Sequence, residues 1–308
     1  MLDPSTLYQL TAQQPAPGEL QQPVMVVALT GFVDAGQAGR LAAEQVLDTL
    51  PHRVLARFDL DQMFDYRARR PAMMFDGDHW VSYETPTLEL SLVTDPGGRS
   101  FLLLTGPEPD IQWERVTAAI KQLVERYDVS LTVSAHAIPM AVPHTRPIGV
   151  TAHATDPGLI RDYQPWVGQV RVPGNLGGLL ELRLGQADRV AAGFAVHVPH
   201  YVSQNNYPAA AEALLTAVTR LTGLTLPTEQ LADAGRQVRV LLDEQAAADA
   251  EISEMVASLE RQYDAFVGSQ GRSLLAADTG SLPTGDELGA ELERFLADEN
   301  ERRGRGDL

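Results

Sequence analysis

The chain has 308 residues, 44% hydrophobic and 21% charged, enough for one large domain or two smaller ones whose core needs no covalent staple. It contains no cysteine, which excludes disulfides, thiolate metal sites and thiol nucleophiles and agrees with a reducing compartment. With 24 basic and 41 acidic residues, its net charge of −17 repels phosphate backbones and anionic lipid, so neither nucleic acid nor a membrane is an expected partner.

Residues 1–5 show no basic and apolar leader pattern, and the strongest apolar run, residues 24–29, is far shorter than the ~20 residues a bilayer requires. A cytoplasmic location is expected. That run, flanked by Pro23 and Gly31, reads as a central strand buried on both faces. The loop 30–36 feeds a helix that reaches Leu50, with Leu41, Ala42, Val46 and Leu50 on one side and Pro51 as its stop; residues 54–58 form the next strand. Strand, helix, strand is the opening of a parallel α/β sheet with a right-handed crossover.

Asp76-Gly77 and residues 95–98 read as hairpin turns, and residues 73–94 as an antiparallel insertion or extension. The rhythm then resumes: strand 101–105, helix 111–127, strands 129–135 and 148–154, helix 175–185, strand 190–196, and a helix from Pro208 to about Leu221. Beyond Pro227 the composition shifts. Ile252, Val256, Leu259, Tyr263 and Phe266 form an a/d heptad seam. A Gly- and Ser-rich linker, 268–285, precedes a last helix at 286–300 with Leu288, Leu292, Phe295 and Leu296 on one stripe. The expected organisation is an α/β body over residues 1–226 and a helical extension over 227–308.

Several polar stretches carry candidate chemistry. The glycine spacing of residues 31–36 matches the outline of a phosphate loop, but Gln37 and Ala38 stand where Lys and Ser/Thr are needed, so Asp34 is read as a helix cap. Arg67, Arg69 and Arg70 crowd residues 66–71, either as a site for an acidic partner or anion or as a set of structural salt bridges. Glu108 and Asp110 end a strand, where carboxylates can do acid–base work; the favoured reading makes Asp110 the N-cap of the next helix, with Glu114 nearby. Prolines 143 and 147 stiffen a loop that presents His144, Thr145 and Arg146, read as structural or partner-contacting because no G-x-S-x-G elbow exists to place a nucleophile. His197 and His200 make an incomplete zinc set and are read as a hydrogen-bonded pair. No metal and no cofactor are expected.

Taken together, the strand leading into residues 31–36, the stretches 66–71, 106–110 with Trp113, 142–147 and 198–201, Tyr207-Pro208 and the acidic helix ending 259–264 resemble the proteasome assembly chaperone 2 family, in particular its actinobacterial branch. The resemblance implies a three-layer α/β/α body with a mixed sheet of phosphorylase/hydrolase-like build, plus a helical C-terminal extension. It implies a homo-oligomer, with a trimer favoured, and action as a protein-assembly chaperone or scaffold for which proteasome subunits are the implied clients. Some archaeal relatives dock through a C-terminal hydrophobic–tyrosine–any-residue tail; Gly306, Asp307 and Leu308 carry no tyrosine. The family is also described as a predicted ATP-dependent ligase of ATP-grasp type, so the alternative is such a ligase or a phosphorylase/hydrolase-like enzyme. Against the ligase, Lys121 is the single lysine and no glycine-rich lid loop precedes paired basic and acidic ligands. In an enzyme, Asp34, Glu108, His144 and Arg146 should converge on one pocket; in a protein that works by contact they should belong to separate networks.

Overall fold

The computed structural model describes residues 2–31, 34–166 and 168–268. In chain order the elements are β1 (Tyr8–Leu10), β2 (Val24–Thr30), α1 (Ala38–Thr49), β3 (His52–Phe58), β4 (Met73–Asp76), β5 (His79–Tyr83), β6 (Glu89–Thr94) and β7 (Ser100–Pro107). There follow α2 (Trp113–Arg126), β8 (Leu131–Met140), β9 (Val150–Ala154), α3 (Leu176–Gly185), β10 (Ala191–Pro199), α4 (Pro208–Thr222), α5 (Glu229–Ala248) and α6 (Ala250–Gly268).

β2 is where the apolar run 24–29 goes, and its surroundings explain that run. Val26 faces one core, while Met25 and Val27 face the other. A strand with water on neither side has no use for polar residues. It lies inside an eight-stranded sheet of order β1-β3-β6-β7-β2-β8-β10-β9. β3, β7, β2, β8 and β10 run one way; β1, β6 and β9 run against them.

Each face is covered by helices whose apolar residues recur every three or four positions. Ala38, Ala42 and Val46 of α1 and Leu214 and Val218 of α4 pack with Val133, Phe194 and Val196 on one face. Val116, Ile120 and Leu123 of α2 and Leu180 and Leu184 of α3 pack with Met25, Leu102 and Leu104 on the other. The body is therefore the expected three-layer α/β/α arrangement with a mixed sheet.

Two details differ from the sequence reading. β2 and β3 do run in the same direction, but β6 and β7 lie between them, so β2-α1-β3 is not a pair of adjacent parallel strands. The reason is that Leu90, Leu92 and Val93 of β6 are apolar toward both cores, which makes β6 an interior strand of the main sheet. Of the stretch 73–94, only β4 and β5 stand apart, as a two-stranded sheet of their own. Gly77, with φ +60, turns that hairpin, and Gly98, with φ +80, turns the β6–β7 hairpin after Asp95.

Beyond Pro227 the extension resolves into two helices, broken at Asp249, whose backbone is extended (φ −130, ψ 118) and whose carboxylate accepts the N–H groups of Glu251 and Ile252. Leu231 of α5 belongs to the first core, and Gly235 lets the backbone of Ala209 approach closely. Of the a/d seam, Val256 and Leu259 are buried within the chain, Phe266 stacks on Trp166 with ring centroids 4.7 Å apart, and the Tyr263 hydroxyl donates to Pro147 O. The helix expected at 286–300 lies outside the described residues. No helix among the described residues is long and apolar enough to cross a membrane.

Gly106, near the end of β7, has φ +143, and a Cβ there would overlap Thr87 O and lie 2.7 Å from Leu88 Cα. Substituting alanine forces a left-handed backbone and a backbone clash together, and Gly106→Ala should cost at least about 3 kcal/mol. Urea denaturation of the two proteins checks this; coincident curves would refute it.

Candidate functional site

Three regions gather the polar residues singled out above. The first is the start of α1. Asp34 accepts the N–H of Gly39 at 2.6 Å and of Arg40 at 3.2 Å, and Gly36 N–H goes to Ser203 O at 2.7 Å. The donors that a phosphate loop would aim at an anion are thus already taken. Burial raises the Asp34 pKa against those stabilising hydrogen bonds.

The second region lies at the C-terminal ends of β2 and β7, the edge where open α/β sheets place their ligands. Asp110 does not cap α2, whose N-cap is Gln112 in a left-handed conformation (φ 62). Asp110 instead accepts Asp65 N–H at 2.6 Å and Arg69 Nη2 at 2.7 Å. Arg69 also donates to Glu108 O and lies 4.4 Å over the Phe64 ring. Of the three clustered arginines, then, one is structural. Arg67 and Arg70 are exposed, and neither side chain pairs with a carboxylate among the described residues.

Glu108 reaches the opposite helix, where Oε1 accepts Leu176 N–H at 2.6 Å and so holds the N-terminus of α3. Between them is a narrow cleft of about 30 Å³, lined by Leu29, Gly31, Glu108, Ser134, His136 and Asn175. Burial, reinforced by the neighbouring His153, holds the His136 pKa down at about 4. Sequence reasoning missed Ser134, His136 and Asn175. The signal was present: Thr132, Ser134 and His136 alternate along a strand whose other face is Val133, Ala135 and Ala137, and polar residues in a central strand need an explanation.

The third region is the loop 143–147, which fastens the C-terminal helices to the body. Tyr201 Oη accepts the His144 backbone N–H at 2.7 Å and lies 2.6 Å from Nδ1. The Tyr201 hydroxyl therefore donates to Nδ1, leaving Nε2–H to donate to Asp243 Oδ1 of α5 at 3.2 Å. Arg239 of α5 donates to His144 O. Arg146 grips Asp264 of α6 with both Nε (2.8 Å) and Nη2 (2.7 Å) and Glu260 with Nη1 (3.0 Å). That fork keeps the Asp264 carboxyl below its ordinary range and raises the Arg146 pKa, while burial lowers that of His144.

Asp34, Glu108 and the His144–Arg146 loop thus belong to three separate networks. His197 and His200 do not pair. His197, 0% exposed, shares a 2.8 Å hydrogen bond with Thr151 Oγ1 and meets the edge of Trp166, whereas His200 sits against Tyr201. Strand β10 turns His197 inward, and His200 falls in the 3₁₀ turn after it. No group of three or more His, Asp or Glu residues is placed to hold a metal ion among the described residues.

One further surface stands out. Met73, Met74, Phe75, Trp80, Val81 and Tyr83 are all exposed on the β4–β5 hairpin, Met74 and Trp80 at 62% each. Phe75 and Trp80 pack edge to face at 5.1 Å, across a register shift next to Met74. An isolated two-stranded hairpin is marginal in water, and six exposed apolar side chains on one are more than a free surface commonly carries.

The model of the PAC2 family matches residues 28–246. A Mycobacterium tuberculosis protein of unknown function, Rv2714, is similar at 46% identity over 86% of this chain and 90% of its own, with a TM-score of 0.82. A Corynebacterium glutamicum protein of unknown function has 36% identity over 85% of this chain and 98% of its own, with a TM-score of 0.82. A proteasome-assembly chaperone homologue of Mycobacterium tuberculosis, Rv2125, has 26% identity over 76% and 99%, with a TM-score of 0.70. No curated protein matches the chain.

Two outcomes follow from the buried histidines. His144→Ala should lower stability by about 1–3 kcal/mol through its lost buried hydrogen bonds, and Arg146→Ala should also destabilise, by releasing α6. Thermal melts of both variants check this, and unchanged midpoints in both would show the loop to be structurally idle. The second outcome concerns acid. Burial holds the His197 pKa at about 4, below the ~6.5 of an unfolded chain, so the unfolded state takes up the proton first as pH falls. The stability this histidine provides is complete above pH ~6.5 and declines by about 3 kcal/mol on approaching pH ~4. His136 and His144, also shifted down, add in the same direction. The urea midpoint should fall further between pH ~7.5 and ~4.5 in wild type than in His197→Gln; equal falls would contradict the assignment.

Proposed function

The chain belongs to the PAC2 family, and on that premise we propose that it is a protein-assembly chaperone or scaffold, acting in the cytoplasm by protein–protein contact. It works as a homo-oligomer, a trimer being favoured, and proteasome subunits are the class of client. The proteasome-assembly chaperone homologue among its structural relatives supports this class. The observation that carries the reading is the β4–β5 hairpin, which displays six large apolar side chains to solvent. A chain that buries Leu88, Leu90 and Leu92 immediately afterwards is not short of core positions for them. Exposed Arg67 and Arg70 precede the hairpin and exposed Asp76 and Asp78 form its tip, giving the apolar patch a charged rim of both signs.

The separation of Asp34, Glu108, His144 and Arg146 into three networks agrees with a contact function. The ligase alternative draws no comparable support. The cleft at the C-terminal ends of β2 and β7, where such a fold places its ligands, is about 30 Å³ and too small for a nucleotide.

A double variant, Phe75→Ser with Trp80→Ser, tests the proposal. Wild type should scatter light as an oligomer and capture purified proteasome α-subunits from the same cell. The variant should lose capture and drop in mass while keeping its melting temperature, because neither side chain belongs to a core. Unaltered mass and capture would overturn the assignment of the hairpin.

A further inference from the structure

Gly193 in the middle of β10 pairs with Ser134 on β8 and with His153 on β9, so the three residues form one row across the sheet. Partners in a row project from the same face. Glycine inside a strand weakens it and commonly marks a place where other groups approach closely. Here they do: a Cβ on Gly193 would collide with both Ser134 Oγ and His153 Cε1 and lie 2.7 Å from His153 Nε2. The two flanking side chains share the space that a side chain at 193 would fill.

Each is held in a telling state. Ser134 is 6% exposed, and its Oγ has no hydrogen-bond partner. An ordinary buried serine bonds a carbonyl, so an orphaned hydroxyl calls for a reason. His153 Nδ1 lies 2.7 Å from Glu181 Oε2 on α3. Nδ1–H donates to that carboxylate, which leaves the Nε2 lone pair free on the side facing Gly193 and Ser134. The His153 side chain is 36% exposed and Glu181 16%, so the pair opens to solvent at the edge of the sheet.

We propose that Ser134, His153 and Glu181 form a nucleophile–base–carboxylate relay that accepts an acetyl-sized acyl group from a small uncharged ester. The size follows from the cleft beside Ser134, whose volume of about 30 Å³ admits a fragment of roughly two water molecules. The charge follows from Glu108, which lines the same cleft and repels anions. Ser134 Oγ attacks the ester carbonyl carbon as its proton passes to His153 Nε2. The tetrahedral oxyanion collapses, the alcohol leaves with that proton, and an acyl-serine ester remains. Water, deprotonated by the same nitrogen, then releases the carboxylic acid and restores Ser134. Of the first-turn donors of α3, Leu176 N–H is held by Glu108 and Gly178 N–H by Asn175. Gly177 N–H has no partner among the described residues, and Gly177 lines the cleft with Ser134, where a donor stabilises an oxyanion.

The test uses p-nitrophenyl acetate on the full chain, read by nitrophenolate release, intact mass and peptide mapping. Wild type should gain one acetyl group on Ser134. Ser134→Ala should gain none there, yet melt at the wild-type temperature, because its Oγ has no bond to lose. His153→Ala should acylate at least about 100-fold more slowly. Glu181→Gln should retain the adduct but form it more slowly, since the carboxylate that fixes the tautomer and orientation of the ring is gone. No adduct on wild type, acetylation confined to Lys121 or the N-terminus, or a Ser134→Ala rate equal to wild type would each overturn the proposal. None of these outcomes bears on the hairpin, so the relay stands or falls apart from the contact function.

Discussion

The interior sheet is apolar on both faces, and the remaining architecture answers that constraint. Strands β6, β7 and β2 contribute residues to both cores, so both faces must be roofed by helices. α1 and α4 roof one side; α2 and α3 roof the other. Roofing also decides what becomes of the few polar residues in the interior strands. Thr132 and Ser134 are buried on the face that α3 covers, and His136 is half-buried beside them at the cleft. Glu108, projecting from the end of β7, anchors the N-terminus of that helix over them. The cover and the enclosed polar row are thus parts of one arrangement.

What was legible in the sequence was local. The unbroken run at 24–29 required burial on both faces, Asp76-Gly77 and residues 95–98 required tight turns, and Pro208 opened α4 as its fixed φ allows. Strand order was not legible, because the pairing of β6 with β3 and β7 is decided by which neighbours cover both of its faces, a non-local matter. Side-chain roles failed for the same reason. Asp110 looked like a helix cap from its sequence neighbours, but its partner Arg69 lies 41 positions away. Arg146 and Asp264 are separated by 118 residues, and only the folded chain introduces them. The row Ser134–Gly193–His153 was hidden on three strands, although the polar alternation along β8 was visible.

The molecule treats its apolar side chains in two ways. Most of those of the sheet, α1 to α4 and the start of α5 are packed in or against two cores, while those of β4 and β5 stand in water on both faces of their ribbon. The contrast bears on function because the two sets follow one another in the chain: residues 73–83 are exposed, and Leu88, Leu90, Leu92 and Val93 are buried. Solvation of the first set is a free-energy cost that a bound partner would remove. The same division keeps the surface reading separate from the buried polar row, which no partner on the hairpin would touch.

The fastening of α6 has a consequence for how the fold comes apart. The sheet and its covering helices are held by close packing, which salt leaves intact. α6 is tied to the body largely by charged, half-exposed forks from Arg146 to Glu260 and Asp264, with Val256 and Leu259 its two buried apolar residues. Ions in solution screen the former and not the latter. Openings of α6 that leave both cores closed should therefore become more frequent, and its amide protons exchange faster, as ionic strength rises. α6 is a latch whose grip loosens with ionic strength, on a body held by packing that salt does not screen.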